Sequence, residues 1–431
     1  MNTPKQETPE ELPRDRPFNP HRRPRTDKAR AIVADITNQF QNFERHHGLR
    51  KRSRRQVDQE TSETQMSAIV CDLMHRVLTK PDGWVAVPLS KEVLGRKDRY
   101  KSPVMRETLP VLLEHLATPE MNFIELSKGY AAYSNHFGPG RQTTIRAGKR
   151  LLSRVREHGV ELSDLKLSPD GEVIILKRPK DNYWDGGGKV DYTDDDTTNA
   201  YRREVADINQ WLAQADITFD EYYEGEKVVD YTDRHLERVF NNSSFEQGGR
   251  LFGGFWQRLH KDVRRAGISI NGEDVVSLDY SQMAPRLLYA LEGATPPQDD
   301  AYFLPGLEDY RPGIKKVFNA ALYSQKPLER LPSGTASLFP KRIGISPVMD
   351  GLQEVHAPIF QHFFTGIGYN LMFRESEILI DVLLQVMEAG VVGLPVFDAV
   401  VVPASGKQLT KSIMESVFKQ HTGIRGMVEE E

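Results

Sequence analysis

Two aspartates, each set inside an apolar run and about 120 residues apart, constrain this chain more than any other feature. The first closes Val275-Val276-Ser277-Leu278-Asp279-Tyr280-Ser281, a short strand of the buried type, after which Leu287-Leu288-Tyr289-Ala290 continues with helical spacing. The second lies in Gly393-Leu394-Pro395-Val396-Phe397-Asp398-Ala399-Val400-Val401-Val402-Pro403, which reads as two short strands around an acid, directly after a helix over Ile378 to Met387 closed by Gly390. A carboxylate in such surroundings costs free energy to bury unless a metal, a cation or a hydrogen-bond network compensates it. An Asp that only serves a tight turn is the plain reading of either segment alone. Two such acids together suit phosphoryl transfer, in which carboxylates hold a pair of Mg2+ or Mn2+ ions roughly 4 Å apart.

Between the acids, Arg311, Lys315, Asn319 and Tyr323 recur at every fourth position and therefore share one helix face. A solvated helix face gives the same spacing. Flanked by two acids, the set also has the chemistry to grip a triphosphate: two cations, an amide and a phenol.

The rest of the sequence bounds the setting. The chain has 431 residues, enough for two or three domains, and its 39% hydrophobic content, 27% charged content and net charge of -4 describe an ordinary folded protein and not a uniformly basic nucleic-acid binder. Any nucleic-acid surface is then local. The single cysteine, Cys71, sits in an apolar run, which excludes a disulfide framework and a Cys-rich zinc module. No stretch approaches the roughly 20 apolar residues that span a bilayer, and the amino end has no signal-peptide apolar core, so no membrane partner and a cytoplasmic setting are expected.

Residues 1–60 are poor in apolar residues and carry the basic clusters Arg22-Arg23-Pro24-Arg25 and Arg50-Lys51-Arg52-Ser53-Arg54-Arg55, which predicts a disordered basic arm, either solvated or neutralising phosphates. Residues 65–180 mix short helices with strand-like runs at 84–87, 123–126 and 173–176, the pattern of a mostly helical, winged-helix-like nucleic-acid-binding module. Arg141, Arg146, Lys149, Arg150, Arg154 and Arg156 offer a phosphate-contacting face there; a solvated helix face explains them equally well. Residues 181–197, rich in Gly and Asp, read as a linker, because Gly186-Gly187-Gly188-Lys189 lacks the spacing and the Ser/Thr of a phosphate loop. The acids at 194–196 favour the start of the helix that follows.

The order acid, basic helix, acid over about residues 235–410 resembles family A DNA polymerases. Asp279-Tyr280-Ser281-Gln282-Met283-Ala284-Pro285-Arg286 is similar to that family's motif A, D-Y-S-Q-I-E-L-R; Arg311 to Tyr323 is similar to motif B, with Asn319 in place of a Phe and Ser324 in place of a Gly; Val396-Phe397-Asp398-Ala399 is similar to motif C, V-H-D-E, without its His and Glu. The segment ending Gly249-Arg250-Leu251 resembles the D-x-x-G-R stretch of single-subunit phage RNA polymerases, without its Asp.

The resemblance implies an α/β (α+β) right-hand palm and fingers over residues 198–431 and a template-dependent nucleotidyltransferase. It implies Asp279 and Asp398 as catalytic ligands of two Mg2+ (or Mn2+) ions; Tyr280, Ser281, Ala284, Arg311, Lys315, Asn319 and Tyr323 as nucleotide-binding; and Arg250 and Arg286 as contacts to nucleic acid. The implied partners are nucleoside triphosphates and a primer-template or single-stranded template. Ala284 stands where the family's Glu crowds a sugar 2'-OH, which implies relaxed sugar discrimination, and no paired acids replace a proofreading exonuclease. A catalytically decayed palm serving as a DNA-binding replication or regulatory protein fits the altered motif C.

Overall fold

A computed structural model describes residues 15–50, 52–130, 140–168, 171–181, 185–220, 229–297 and 300–431. The chain forms two compact units, Met1–Gly171 and Glu172–Glu431. Among the described residues no helix is long and apolar enough to cross a membrane.

In the first unit, helices α1 (Asp27–His46) and α2 (Gln56–Thr79) pack with a four-stranded sheet of β1 (Arg16–Pro17), β2 (Val85–Val87), β3 (Ile124–Ser127) and β4 (Thr143–Ala147), in the order β1-β2-β4-β3. The expected disordered arm is thus corrected, although residues 1–14 and Lys51 lie outside the described residues. Ile32, Ile36, Phe40 and Phe43 follow one another at helical spacing and are buried in the core of this unit. Thr26 caps α1, its hydroxyl accepting from the Ala29 amide at 3.4 Å. The basic clusters are partly consumed by the fold. The buried Arg22 side chain faces Asp72 at 3.4 Å, and Arg54 pairs with Glu44 at 2.7 Å.

The proposed phosphate-contacting face of this unit is likewise tied down in part. Arg146 pairs with Glu125 at 2.6 Å, Arg154 with Asp35 at 3.0 Å, and Arg150 donates to the Glu120 carbonyl at 3.0 Å while lying over the Phe123 ring. Lys149 and Arg156, on helix α3 (Lys149–Glu157), remain exposed. The run at 173–176, read from sequence as part of this module, belongs to the second unit. There Ile174–Leu176, β5, pairs in parallel with β7 (Glu237–Phe240), whose other edge carries the antiparallel β8 (Gly248–Phe252). Glycines at 186–188 form no phosphate loop; Asp195 instead caps helix α4 (Asp196–Gln214), accepting from the Thr198 amide at 2.7 Å. Residues 182–184 of the expected linker lie outside the described residues.

The second unit is built on a larger mixed sheet. β6 (Ile217–Phe219) pairs with β9 (Ile268–Ile270), which follows helix α5 (Lys261–Gly267). The central strand β10 (Glu273–Tyr280) pairs with β9 at its start, with β12 (Ala399–Pro403) along most of its length, and with β13 (Val428–Glu430) at its end. β11 (Leu394–Val396) completes the sheet against β12. Alternation sorts β10 by face: Leu278 and Tyr280 are buried on the side of α9 (Lys407–Thr422), whereas Ser277 and Asp279 point to the other side. Helices α6 (Met283–Leu291), α7 (Arg311–Tyr323) and α8 (Gly368–Glu388) follow; α6 and α8 continue the core around Leu287, Leu288, Leu379 and Leu383.

One buried titratable group in this core has a pH consequence. His356 is fully buried; its Nε2 lies 2.7 Å from the Ala301 carbonyl and must donate, while Nδ1 accepts from the Tyr289 hydroxyl at 3.0 Å. Burial lowers its pKa below the ordinary 6.5, so the imidazole is neutral in the fold. Below about pH 6.5 the unfolded chain then binds the proton better, and stability falls as pH drops. The melting temperature lost between about pH 7.5 and pH 5.5 is expected to be smaller in His356→Gln, whose amide serves the same two partners without titrating. Equal losses would show that His356 accepts its proton within the fold.

Candidate active site

Asp279 reaches the site because β10 carries it past the last core residue of its face. Its register partner on β12 is Ala399, so Asp398, immediately before Ala399, is brought beside it. Asp398 sits in a two-residue turn between β11 and β12, closed by the Val396–Ala399 pair. Phe397, the other turn residue, adopts a left-handed φ of 59°. That conformation costs a non-glycine residue roughly 1–2 kcal/mol, and it leaves the Phe397 ring 39% exposed under the Arg250 guanidinium, 5.3 Å from the ring centre. A left-handed φ is what the favoured two-residue hairpin turns require of one or both of their central residues.

The two carboxylates disturb one another. Burial raises the Asp279 pKa to about 7, and Asp398 and Glu431 push it the same way, with Lys315 opposing them. Burial also raises Asp398, against the pull of Arg250 and Lys315. Asp279 Oδ1 is buried and has no hydrogen-bond partner among the described residues. Two partly desolvated acids, one with an orphaned oxygen, are an arrangement that a divalent cation relieves. Among the described residues no group of three or more His, Cys, Asp or Glu side chains gathers as a metal cluster. Mg2+ is an ion that one or two carboxylates can hold together with water and substrate phosphates, so two aspartates are a donor set compatible with it.

Helix α7 supplies the cations. Arg311 and Lys315 are exposed on it, and both lie against the Tyr302 ring, at 5.4 and 5.9 Å from its centre. Arg311 is ion-paired with Asp300, whereas Lys315 acts on both aspartates. Asn319 is half-buried one turn further along, and Tyr323 is 39% exposed with its ring 5.1 Å from that of Tyr369. Arg250, on β8, pairs at 2.6 Å with Glu375 of α8, a buried acid whose pKa burial raises to about 7 against the pull of Arg250. Arg250 is thus aimed at the Asp398 turn by an acid from another element.

The motif around Asp279 divides. Ser281 donates its backbone amide to the Met427 carbonyl at 2.8 Å, and Ala284 is half-buried in the first turn of α6. Gln282, with a left-handed φ of 57°, accepts from the Ala301 amide at 2.8 Å and so fixes the turn from strand to helix. Tyr280 corrects the expectation of a nucleotide contact: it is 3% exposed, packs on Phe418 and donates its hydroxyl to the Met414 carbonyl at 2.7 Å, on the face opposite Asp279. Arg286 corrects the expectation of a nucleic-acid contact in the same way, being buried with Nη1 donating to the Arg425 carbonyl at 3.2 Å.

Glu375, Asp300 and β13 had no signal in the sequence reading. β13 is short and acidic, and it sets Glu429 opposite Asp279 in the ladder.

No protein-family model matches the chain, and no curated protein matches it. Among solved structures it is similar to the POL domain of Pol1 from M. smegmatis, solved in complex with DNA primer-template and dNTP, at 12% identity and a TM-score of 0.29. That match covers 54% of this chain and 50% of the other. The chain spans half the length of that polymerase domain.

Proposed function

We propose that this protein is a template-dependent nucleotidyltransferase, with residues 198–431 acting as palm and fingers and the first unit, winged-helix-like, contacting nucleic acid. One observation carries the reading: the β10–β12 register sets Asp279 beside Asp398, with the Lys315 ammonium acting on both.

Asp279 and Asp398 would hold two Mg2+ or Mn2+ ions, which when bound lower the pKa of the attacking hydroxyl and neutralise charge that develops on the phosphates. Lys315 directs its ammonium at the triphosphate, a contact that strengthens as charge builds in the transition state. Arg311 adds a forked donor once it shares or leaves Asp300. Tyr323, at the exposed end of α7, closes on the base pair being formed. Arg250, held by Glu375, contacts the nucleic acid next to Asp398. In the reaction the 3'-hydroxyl oxygen bonds to the α-phosphorus, the bond from that phosphorus to the β-phosphate oxygen breaks, pyrophosphate leaves with the electron pair, and the hydroxyl proton passes to water.

A second reading, a decayed palm that binds DNA without catalysis, is favoured by one feature: Phe397 and Ala399 flank Asp398 where the resembling family carries His and Glu. Incorporation of nucleotide on a primed template separates the two readings.

Ala284 makes the sugar the next test. With no long side chain there to meet a 2'-OH, dNTPs and NTPs are expected to differ in kcat/KM by no more than about 10- to 200-fold, and Ala284→Glu is expected to shift the ratio strongly toward dNTPs. Tyr280 is no substitute gate, because its ring is in the core. Strong rejection of NTPs that Ala284→Glu leaves unchanged would assign the gate to Tyr323 instead.

A further inference from the structure

A small cavity opens on the Asp279 face of the sheet and is not used by the reaction outlined above. Its volume is about 150 Å³, and its lining includes Lys261 and Arg265 of α5, Ser277 of β10 and Glu431. Ser277 precedes Asp279 by two residues and shares its face, which puts the cavity about 7 Å back along the strand from the aspartate.

Three observations give the cavity a ligand class. The Ser277 hydroxyl is buried and has no hydrogen-bond partner among the described residues. A buried hydroxyl without a partner carries a desolvation cost that a bound acceptor removes. Lys261 and Arg265 are exposed and outside any ion pair among the described residues, Glu430 is paired with Lys407, and Asp262, which also lines the cavity, is exposed beside them. Arg264 adds a third positive charge from below; it is buried, with Nη1 held by the Trp256 and Leu259 carbonyls at 3.2 Å. Against these stands Glu431, whose amide donates to the Ser277 carbonyl at 3.0 Å and whose charge acts on both Arg264 and Asp279.

From this arrangement we infer that the cavity beside α5 binds a backbone phosphate of the nucleic-acid strand whose end is presented to Asp279. No residue of the triphosphate-gripping helix α7 lines it, so it is separate from the nucleotide's own phosphates. A cationic pocket one short step from the reacting position holds the strand in register, as phosphate contacts do in nucleic-acid complexes generally. The inference rests on the reading of Asp279 as the centre of a nucleotidyltransferase site.

The test is binding of a fluorescent primer-template by the full chain, without nucleotide, followed by anisotropy across a range of NaCl concentrations. Lys261→Ala and Arg265→Ala are each expected to weaken binding several-fold at low salt and to reduce the slope of log K against log salt by about one. Glu431→Ala is expected to do the reverse and tighten binding, because it removes one negative charge from the lining of the cavity. Both α5 side chains are exposed, so the fold is not at risk. Unchanged affinity and slope in both α5 variants would overturn the inference. So would a loss of inorganic pyrophosphate binding in those variants with oligonucleotide binding intact, since the pocket would then serve a free anion. Failure of the proposed activity reads differently: the wild type would add no nucleotide, yet the α5 variants would still lose oligonucleotide affinity.

Discussion

Asp279→Ala and Asp398→Ala are each expected to reduce nucleotide incorporation by at least 10²- to 10³-fold, the scale of removing a single electrostatic contact from a transition state. Neither change opens a core cavity, because Asp279 projects from one face near the end of β10, Asp398 sits in a turn, and neither is fully buried. The fold should therefore survive, and in one respect improve. Asp279 bears the cost of burial and the repulsion of Asp398 and Glu431, so the isosteric Asp279→Asn should melt higher than wild type in metal-free buffer at about pH 8, where the wild-type carboxylate is ionised. Activity lost and stability gained at one position is the signature of a residue kept for function. A variant that retains activity would remove Asp279 from the reaction; one that loses both activity and stability would make it a structural residue.

Lys315→Ala is expected to lower kcat/KM for the nucleotide roughly 10²- to 10³-fold while leaving template affinity nearly unchanged. Arg311→Ala should cost less. Arg311 is engaged by Asp300 and must share its guanidinium between that acid and a phosphate, whereas Lys315 has no ion pair among the described residues and bears on the two aspartates only through space. The two side chains are exposed, so melting temperatures should stay close to wild type. Steady-state kinetics with calorimetry on the same preparations checks both points. A larger loss from Arg311→Ala than from Lys315→Ala would mean that Asp300 orients the guanidinium for the phosphate and does not withhold it.

How much of this was legible in the sequence depended on whether a signal was local. The β10 strand, the β11–β12 hairpin and helix α7 each announce themselves within a dozen residues, through an unbroken apolar run or a step of four, and the structure forms all three. Strand periodicity sets Tyr280 on the face opposite Asp279, so its place in the motif does not by itself bring it to the site, and in the fold it is buried. Helix α1 was hidden by composition: its four core residues are diluted by charged neighbours, yet they lie on one stripe.

Other features had no local trace. β5 is indistinguishable from a wing strand until it finds β7, far along the chain, as its partner. Glu375 is one acid on a long apolar helix, and only the fold brings it to Arg250. β13 reads as two acids after a valine, without strand propensity of its own, and exists because β10 offers it an unpaired edge.

The measurement that bears most directly on the central claim is extension of a labelled primer on four templates that differ only in the first unpaired base, with Mg2+ or Mn2+ and each nucleotide supplied separately. The account predicts that wild-type protein adds the complementary nucleotide opposite each template base, that the pattern changes with the template, and that Asp279→Ala adds none. Folded wild-type protein that binds the primer-template and adds no nucleotide with either metal would contradict it.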